Sequence, residues 1–283
     1  ARAACADPVA LFDALRDVAL QRALSTHEAS ELDVLVEAGQ VPTNTETHAT
    51  IVDAMSGSIV SRFEPFLDDR EFALKTWTFF VDLPPVMVAQ QDCPCRTAIG
   101  SNSGDGPELI ECDCRRVTMM TLPDVDDRVE IVEGTLPQVS TEVGPDDIFQ
   151  IEALLDVAAA GVLGIKVGDV YPARPHWIDE HSRVDVLVTG LYVRVDPEAA
   201  HWRIQDDAFG TRTNTLQFAR FVVPEKTIID GLGSYFPNMG TDYAWWLDVD
   251  PGRIVASETE AIRNTIDATE RELKAIVDGF LMQ

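Results

Sequence analysis

Positive charge is scarce in this chain: 283 residues carry 22 lysines and arginines against 48 aspartates and glutamates, a formal net charge of −26. Such a surface repels phosphate backbones and anionic headgroups, so nucleic-acid binding over any large face is disfavoured and cations or basic partners are attracted. The roughly 20 consecutive apolar residues that cross a bilayer are missing too; the longest run, Val157 to Ile165, stops at Lys166. No start methionine and no basic stretch leading into an apolar core opens the chain, which reads as a soluble portion of a longer protein. Compositional bias is also lacking. With 46% apolar and 25% charged residues, 17 Gly and 16 Pro, the chain is an ordinary folded one, which excludes collagen, mucin stalks and disordered tails. Its length suits one large or two modest folding units.

Familiar catalytic signatures are absent as well. Gly231-Leu232-Gly233 has Phe236 where a dinucleotide loop needs a third glycine. His27-Glu28 is followed by Glu31 where a zinc protease needs histidine, and Asn102 stands between Gly100 and Gly104 where a nucleophile elbow needs serine. Asp124-Val125-Asp126-Asp127 and Asp248-Val249-Asp250 do not continue into a calcium loop and read as solvated turns. His176-Trp177-Ile178-Asp179-Glu180-His181, among Pro172 and Pro175, reads as a solvated loop, with a metal site as the alternative. Trp245-Trp246 on a strand places one ring on each face and reads as core packing, with one ring exposed for a partner as the alternative. No catalytic residue, metal ligand or cofactor is assigned, and the chain reads as a non-enzyme.

What is present starts with cysteine. Of five cysteines, four sit as Cys93-Pro94-Cys95 and Cys112-Asp113-Cys114 around a Gly/Ser/Asn/Asp/Pro stretch. An antiparallel hairpin with Cys93 opposite Cys114 and Cys95 opposite Cys112 brings four sulfurs to one face, because residues two apart share a side of a strand. Two disulfides or one four-sulfur zinc site would satisfy that arrangement. Zinc pairs normally have at least two intervening residues, so disulfides lead, zinc follows and free thiols come third; Pro94 complicates the disulfide version, which an edge position or a bulge would resolve. Disulfides imply an oxidising compartment outside the cytoplasm. Cys5 has no partner in this scheme.

Periodicity supplies the elements. Pro8 to Leu24 has helical apolar spacing; Glu31 to Ala38 alternates as a strand broken by Gly39 to Thr45; Ala49 to Val60 is an amphipathic helix; Phe72 to Val81 is one aromatic strand. The middle is β-rich: Val129 to Val132, Lys166 to Tyr171, Arg183 to Val195 and the regions of Trp202 and Phe218 to Val223 read as strands, with Leu154 to Leu163 a short helix. Tyr243 to Val249 reads as a strand, and Glu258 to Phe280 as a long helix opened by a Ser257/Glu260 capping box. The class is therefore α+β, with residues 1–85 and 240–283 forming a split α/β module and 86–239 an inserted β-rich one that contains the four-cysteine hairpin at about 90–116.

The stretch from Arg128 to Trp202 resembles the extracytoplasmic domains of FtsX-like and MacB-like ABC transporter permeases. Arg128-Val129-Glu130-Ile131-Val132-Glu133-Gly134-Thr135-Leu136-Pro137 is similar to their strand followed by Gly-x-x-Pro. Leu163-Gly164-Ile165-Lys166-Val167-Gly168-Asp169 is similar to their turn, and Val188-Thr189-Gly190-Leu191-Tyr192 to the next strand, with Asp196-Pro197 and Trp202 after it. Gly168-Asp169 is expected at a tight turn, and Gly134 and Gly190 at strand ends. The resemblance covers about a quarter of the chain closely; the four-cysteine hairpin is not part of the family pattern. It implies a porter-like membrane-proximal module on the periplasmic or extracellular face of the cell membrane. The implied partners are the permease's own transmembrane helices, a cytoplasmic ATP-binding subunit, an unknown cargo or envelope protein and a possible second copy in the full transporter. The competing readings are a secreted or anchored solute-binding or adhesive protein, and an extracellular metal-dependent enzyme.

Overall fold

The computed structural model describes residues 8–27, 32–81, 86–89, 98–101, 109–112, 116–144, 147–177, 183–197, 199, 202, 219–276 and 280–282. In chain order the first elements are α1 (Pro8–Leu24), β1 (Val34–Pro42), α2 (Thr45–Ala54), β2 (Leu67–Thr76), β3 (Phe79–Val81), β4 (Val86–Ala89), β5 (Ala98–Ser101) and β6 (Leu109–Cys112). Next come β7 (Arg116–Met120), β8 (Val129–Gly134), β9 (Phe149–Asp156), α3 (Val157–Leu163), β10 (Val170–Pro175) and β11 (Val184–Arg194). The chain ends with β12 (Ala219–Val222), β13 (Gly240–Val249), α4 (Thr259–Ile276) and β14 (Phe280–Met282). The class is α+β. Among the described residues, no helix is long and apolar enough to cross a membrane.

The chain divides into two compact units: Ala1–Ala38, Ala49–Glu71 and Trp245–Gln283 in the first, Gly39–His48 and Phe72–Ala244 in the second. The first unit takes both chain ends. Its strand segments follow the order β2-β13-β1-β14, and β14 runs antiparallel to β1 with Met282 opposite Val36. Val36, Ile51, Met55, Ile59, Phe63 and Leu247 make its core, each contributing about 1.5–3 kcal/mol of burial. Trp245 and Trp246 are both buried. Asp33 anchors the second ring: its carboxylate accepts from Trp246 Nε1 at 3.0 Å and from the Val249 N–H at 3.2 Å.

Polar groups fasten the described part of α1. Gln21 Nε2 donates to the carbonyls of Pro251 and Ile254 at 2.8 and 2.9 Å, and Asp17 accepts from the Ala256 N–H at 2.7 Å. Leu15 and Val18, expected to face a core, are 59% and 66% exposed. α4 also departs from expectation, ending at Ile276 with Phe280 in β14; Gly279 is a weak helix former at that point of the sequence.

In the second unit six strands pair in a closed circuit. β12-β9-β11-β10-β3-β7 follow one another, and β12 also pairs with β7, in parallel, from Ala219 opposite Val117 to Val222 opposite Met120. Closure removes the unpaired edges that an open sheet would leave. β11 alternates strictly, with Val184, Val186, Val188, Gly190 and Tyr192 buried, the period-2 pattern of a strand with one face inward. β9 runs parallel to β11, while β10 pairs with its first half and β8 with its second.

Other boundaries depart from the sequence expectation as well. β1 continues past Gly39 to Pro42, with Gln40 at φ +60° held by an N–H bond to Asp242. The aromatic strand is broken at Trp77-Thr78. Residues 149–156 are β9, and the helix starts only at Val157, where Asp156 caps it by accepting from Ala158 and Ala159 N–H. Lys166 to Asp169 is a turn that leads into β10.

Candidate functional site

The break between β2 and β3 creates a cleft that lies within the second unit. Thr76 Oγ1 donates to Trp77 O at 2.9 Å and accepts the Met119 N–H at 3.1 Å, so a side chain takes over a ladder position. Trp77 and Thr78 then find backbone partners elsewhere: Trp77 N–H donates to Gly240 O at 3.1 Å, and Thr78 O accepts the His176 N–H at 3.3 Å. Pairing with β7 resumes only at Phe79 opposite Val117. Thr118 therefore sits on β7 beside the gap.

The cleft encloses about 290 Å3 and is lined by Gln40, Lys75, Thr76, Trp77, Thr78, Thr118, His176 and Asp242. Lys75 Nζ lies 3.3 Å from Asp242 Oδ2, and Asp242 Oδ1 also accepts the Gln40 N–H at 3.0 Å. That bond offsets the left-handed backbone of Gln40, a conformation that costs a non-glycine residue on the order of 1 kcal/mol or more. Trp77 fits because residue 240 is glycine; a Cβ there would lie 2.3 Å from the indole Cε2. The His176 ring stands 6.0 Å from that of Trp77, its Nδ1 3.0 Å from Thr78 O, and Trp177 packs edge-on to Trp77 at 5.3 Å. Thr118 Oγ1 is buried and has no hydrogen-bond partner among the described residues. A buried hydroxyl left unpaired carries a desolvation penalty of about 1–3 kcal/mol, so its place beside a cleft points to a ligand atom or water as its partner.

A second polar array ties Glu225, His48 and Tyr243 together. His48 Nε2 lies 3.1 Å from Glu225 Oε1 and its Nδ1 3.3 Å from the Tyr243 hydroxyl. Burial, reinforced by the charge of Glu225, pushes the Tyr243 phenol well above its ordinary range. The phenol stays protonated, and the array packs against Phe72.

Of the residues carried by the family resemblance, Gly134, Gly168, Asp169 and Gly190 meet along β11. Gly134, at φ +84°, ends β8 opposite Gly190, and Thr135 N–H donates to Thr189 O at 2.9 Å. Gly168, at φ +91°, donates to Val188 O at 2.8 Å, and the Val188 N–H returns to Asp169 O at 3.0 Å. Gly190 does not end a strand as expected. It lies inside β11 where the partner strand changes from β10 to β8, and a Cβ there would meet Thr135 O at 2.6 Å. Asp169 Oδ2 accepts from Lys166 N–H at 2.9 Å and from the Tyr171 hydroxyl at 3.1 Å. Burial first, then that hydrogen bond and the carboxylate charge, push the Tyr171 phenol up to about 12. Gly164 closes α3 in the left-handed conformation, and Pro137 is half-buried in the segment after β8. Trp202 is buried, not on a strand: its Nε1 donates to Val195 O at 3.1 Å and the Arg194 guanidinium lies 4.6 Å over its ring.

Of the four clustered cysteines, Cys112 is on β6, opposite Ala98 of β5 and Val86 of β4. Cys93, Cys95 and Cys114, with their disulfide or zinc pairing, lie outside the described residues, as do Cys5 and residues 178–181 of the His176 to His181 segment. Among the described residues no cluster of three or more His, Cys, Asp or Glu could hold a metal. Trp77, Thr118, Gln40 and Asp242 carried no sequence signal; His176 was visible only as part of a loop.

No family model matches the chain, and no curated protein does. Among solved structures, a domain of a proposed permease protein from Porphyromonas gingivalis is similar over 89% of this chain and 86% of that chain, at 11% identity and a TM-score of 0.30. That degree of likeness assigns neither a family nor an activity.

Proposed function

We propose that this chain is the non-catalytic extracytoplasmic domain of an ABC transporter permease of the FtsX-like or MacB-like kind, with ATP hydrolysed by a separate cytoplasmic subunit. The supporting observation is the junction on β11, where Gly134-Thr135 and Gly168-Asp169 each bond to or pair with Val188-Thr189-Gly190. The first unit holds both chain ends, an arrangement that suits a domain threaded between two membrane helices. In this role the domain relays motion of the membrane helices to a cargo or an envelope partner. The four clustered cysteines are assigned to two disulfides of an oxidising compartment; of five cysteines, four paired leave one thiol, the count expected from thiol titration under denaturing conditions.

The test uses the intact natural gene product in membranes, with protease added from outside. Cleavage within residues 1–283, while fragments on both sides stay embedded, is the expected result. Release of the uncut chain by alkaline carbonate overturns the reading. It would favour a secreted or anchored binding protein, the alternative that the cleft of the second unit supports.

A further inference from the structure

We propose that the cleft at Trp77 and Thr118 binds a neutral, hydroxyl-rich ring, a single saccharide unit. At about 290 Å3 its size lies at the low end of small-molecule sites, enough for one ring rather than an extended chain. Its lining combines an indole with hydroxyl, amide, imidazole and carboxylate groups that both donate and accept. A sugar ring has the matching chemistry, with C–H groups that pack on an aromatic face and hydroxyls that each give and take hydrogen bonds.

Charge separates this ligand from its competitors. An anion would approach Asp242 on a chain of net charge −26. A cation would have to compete with Lys75, already 3.3 Å from Asp242. A neutral ligand leaves that pair intact and uses the further lone pairs of the Asp242 carboxylate. Thr118 Oγ1 then gains the partner it lacks among the described residues. The indole is held in advance by its fit against Gly240, and its backbone by the bond from the Trp77 main-chain N–H to Gly240 O, so ordering the ring on binding loses little entropy. The inference is independent of the permease reading, since a membrane-tethered and a secreted chain would bind alike.

The experiment titrates the 283-residue chain with glucose, galactose and N-acetylglucosamine at millimolar concentrations, and with choline and inorganic phosphate as charged probes, following tryptophan fluorescence and heat. At least one neutral sugar gives a saturable signal, and the charged probes give none. Thr118→Val is the decisive variant, because it removes an unpartnered buried hydroxyl and keeps the shape. It leaves the thermal midpoint unchanged or raised while sugar affinity falls roughly tenfold, the equivalent of one hydrogen bond. Asp242→Asn weakens binding in the same direction. The proposal is overturned if no sugar in the panel saturates, if choline or phosphate saturates instead, or if Thr118→Val binds sugar as tightly as the parent.

Discussion

Replacing Gly134 by alanine puts the junction on β11 to a quantitative test, because two other glycines of the same unit separate its components. Gly161 has nothing within 4 Å of an added Cβ and an ordinary helical backbone. Alanine there should be neutral or stabilise by about 0.5–1 kcal/mol, the helix preference over glycine. Gly168 sits at φ +91° with open space around the added Cβ, so alanine there meets backbone strain alone, on the order of 1 kcal/mol. Gly134 has the same kind of backbone, φ +84°, but its Cβ would lie 2.0 Å from Thr189 O and 2.9 Å from Gly190 Cα. Thr189 O cannot retreat freely, since it accepts the Thr135 N–H at 2.9 Å. Overpacking of this kind adds about 1–3 kcal/mol to the strain. Gly134→Ala should therefore cost about 2–4 kcal/mol and exceed Gly168→Ala by at least ~1 kcal/mol. Urea unfolding of the three variants measures this through the midpoint, provided the slope m is unchanged. Equal losses for Gly134→Ala and Gly168→Ala would refute the close backbone approach, and with it the junction that supports the functional reading.

Two further outcomes follow from the polar anchors. The Tyr171 phenol, raised to about 12 from 10.0, contributes stability that is complete below pH 10 and lost as pH rises through 12, because the unfolded chain releases that proton first; phenolate absorbance should show Asp169→Asn lowering the midpoint part of the way, with the burial effect remaining. Asp33→Ala leaves Trp246 Nε1 and the Val249 N–H without their acceptor and should cost about 2–4 kcal/mol; an unchanged tryptophan-monitored unfolding midpoint would contradict the anchoring role.

Elements whose own residues determine them were legible. β11 announces itself by a β-branched run with strict alternation, and α1 and α4 by their helical spacing, so the starts of all three fall within a residue of expectation. Boundaries imposed by distant partners were not. Leu154 and Leu155 precede an Ala-rich stretch and suit a helix, yet β11 and β12 pair with that segment and extend β9 to Asp156. The local stop signal was present in Asp156 itself, a good N-cap, but no local rule says that the strand should last until it. Leu15 and Val18 show the reverse case: their spacing is helical yet both are exposed, while Asp17 and Gln21 of the same helix make long-range hydrogen bonds.

The cleft was illegible for a stronger reason. Gln40, Trp77, Thr118, His176 and Asp242 come from five separate stretches of chain, and each has an unremarkable neighbourhood in sequence. What assembles them is a failure of strand pairing: the ladder between β2 and β7 gives way at Thr76, and the freed groups of Trp77 and Thr78 go to Gly240 and His176. Aromatic strands usually continue, so Phe72 to Val81 suggested one strand and concealed the gap. The need for glycine at 240 is equally invisible, since its space is taken by an indole more than a hundred and fifty residues away. A site made this way leaves a physical trace beside the gap, a buried polar atom without a partner among the described residues, and Thr118 Oγ1 is such an atom. A regular ladder would close the gap but pair only main-chain groups, so the hydroxyl would still need a partner, which the open cleft can admit and the ladder cannot supply.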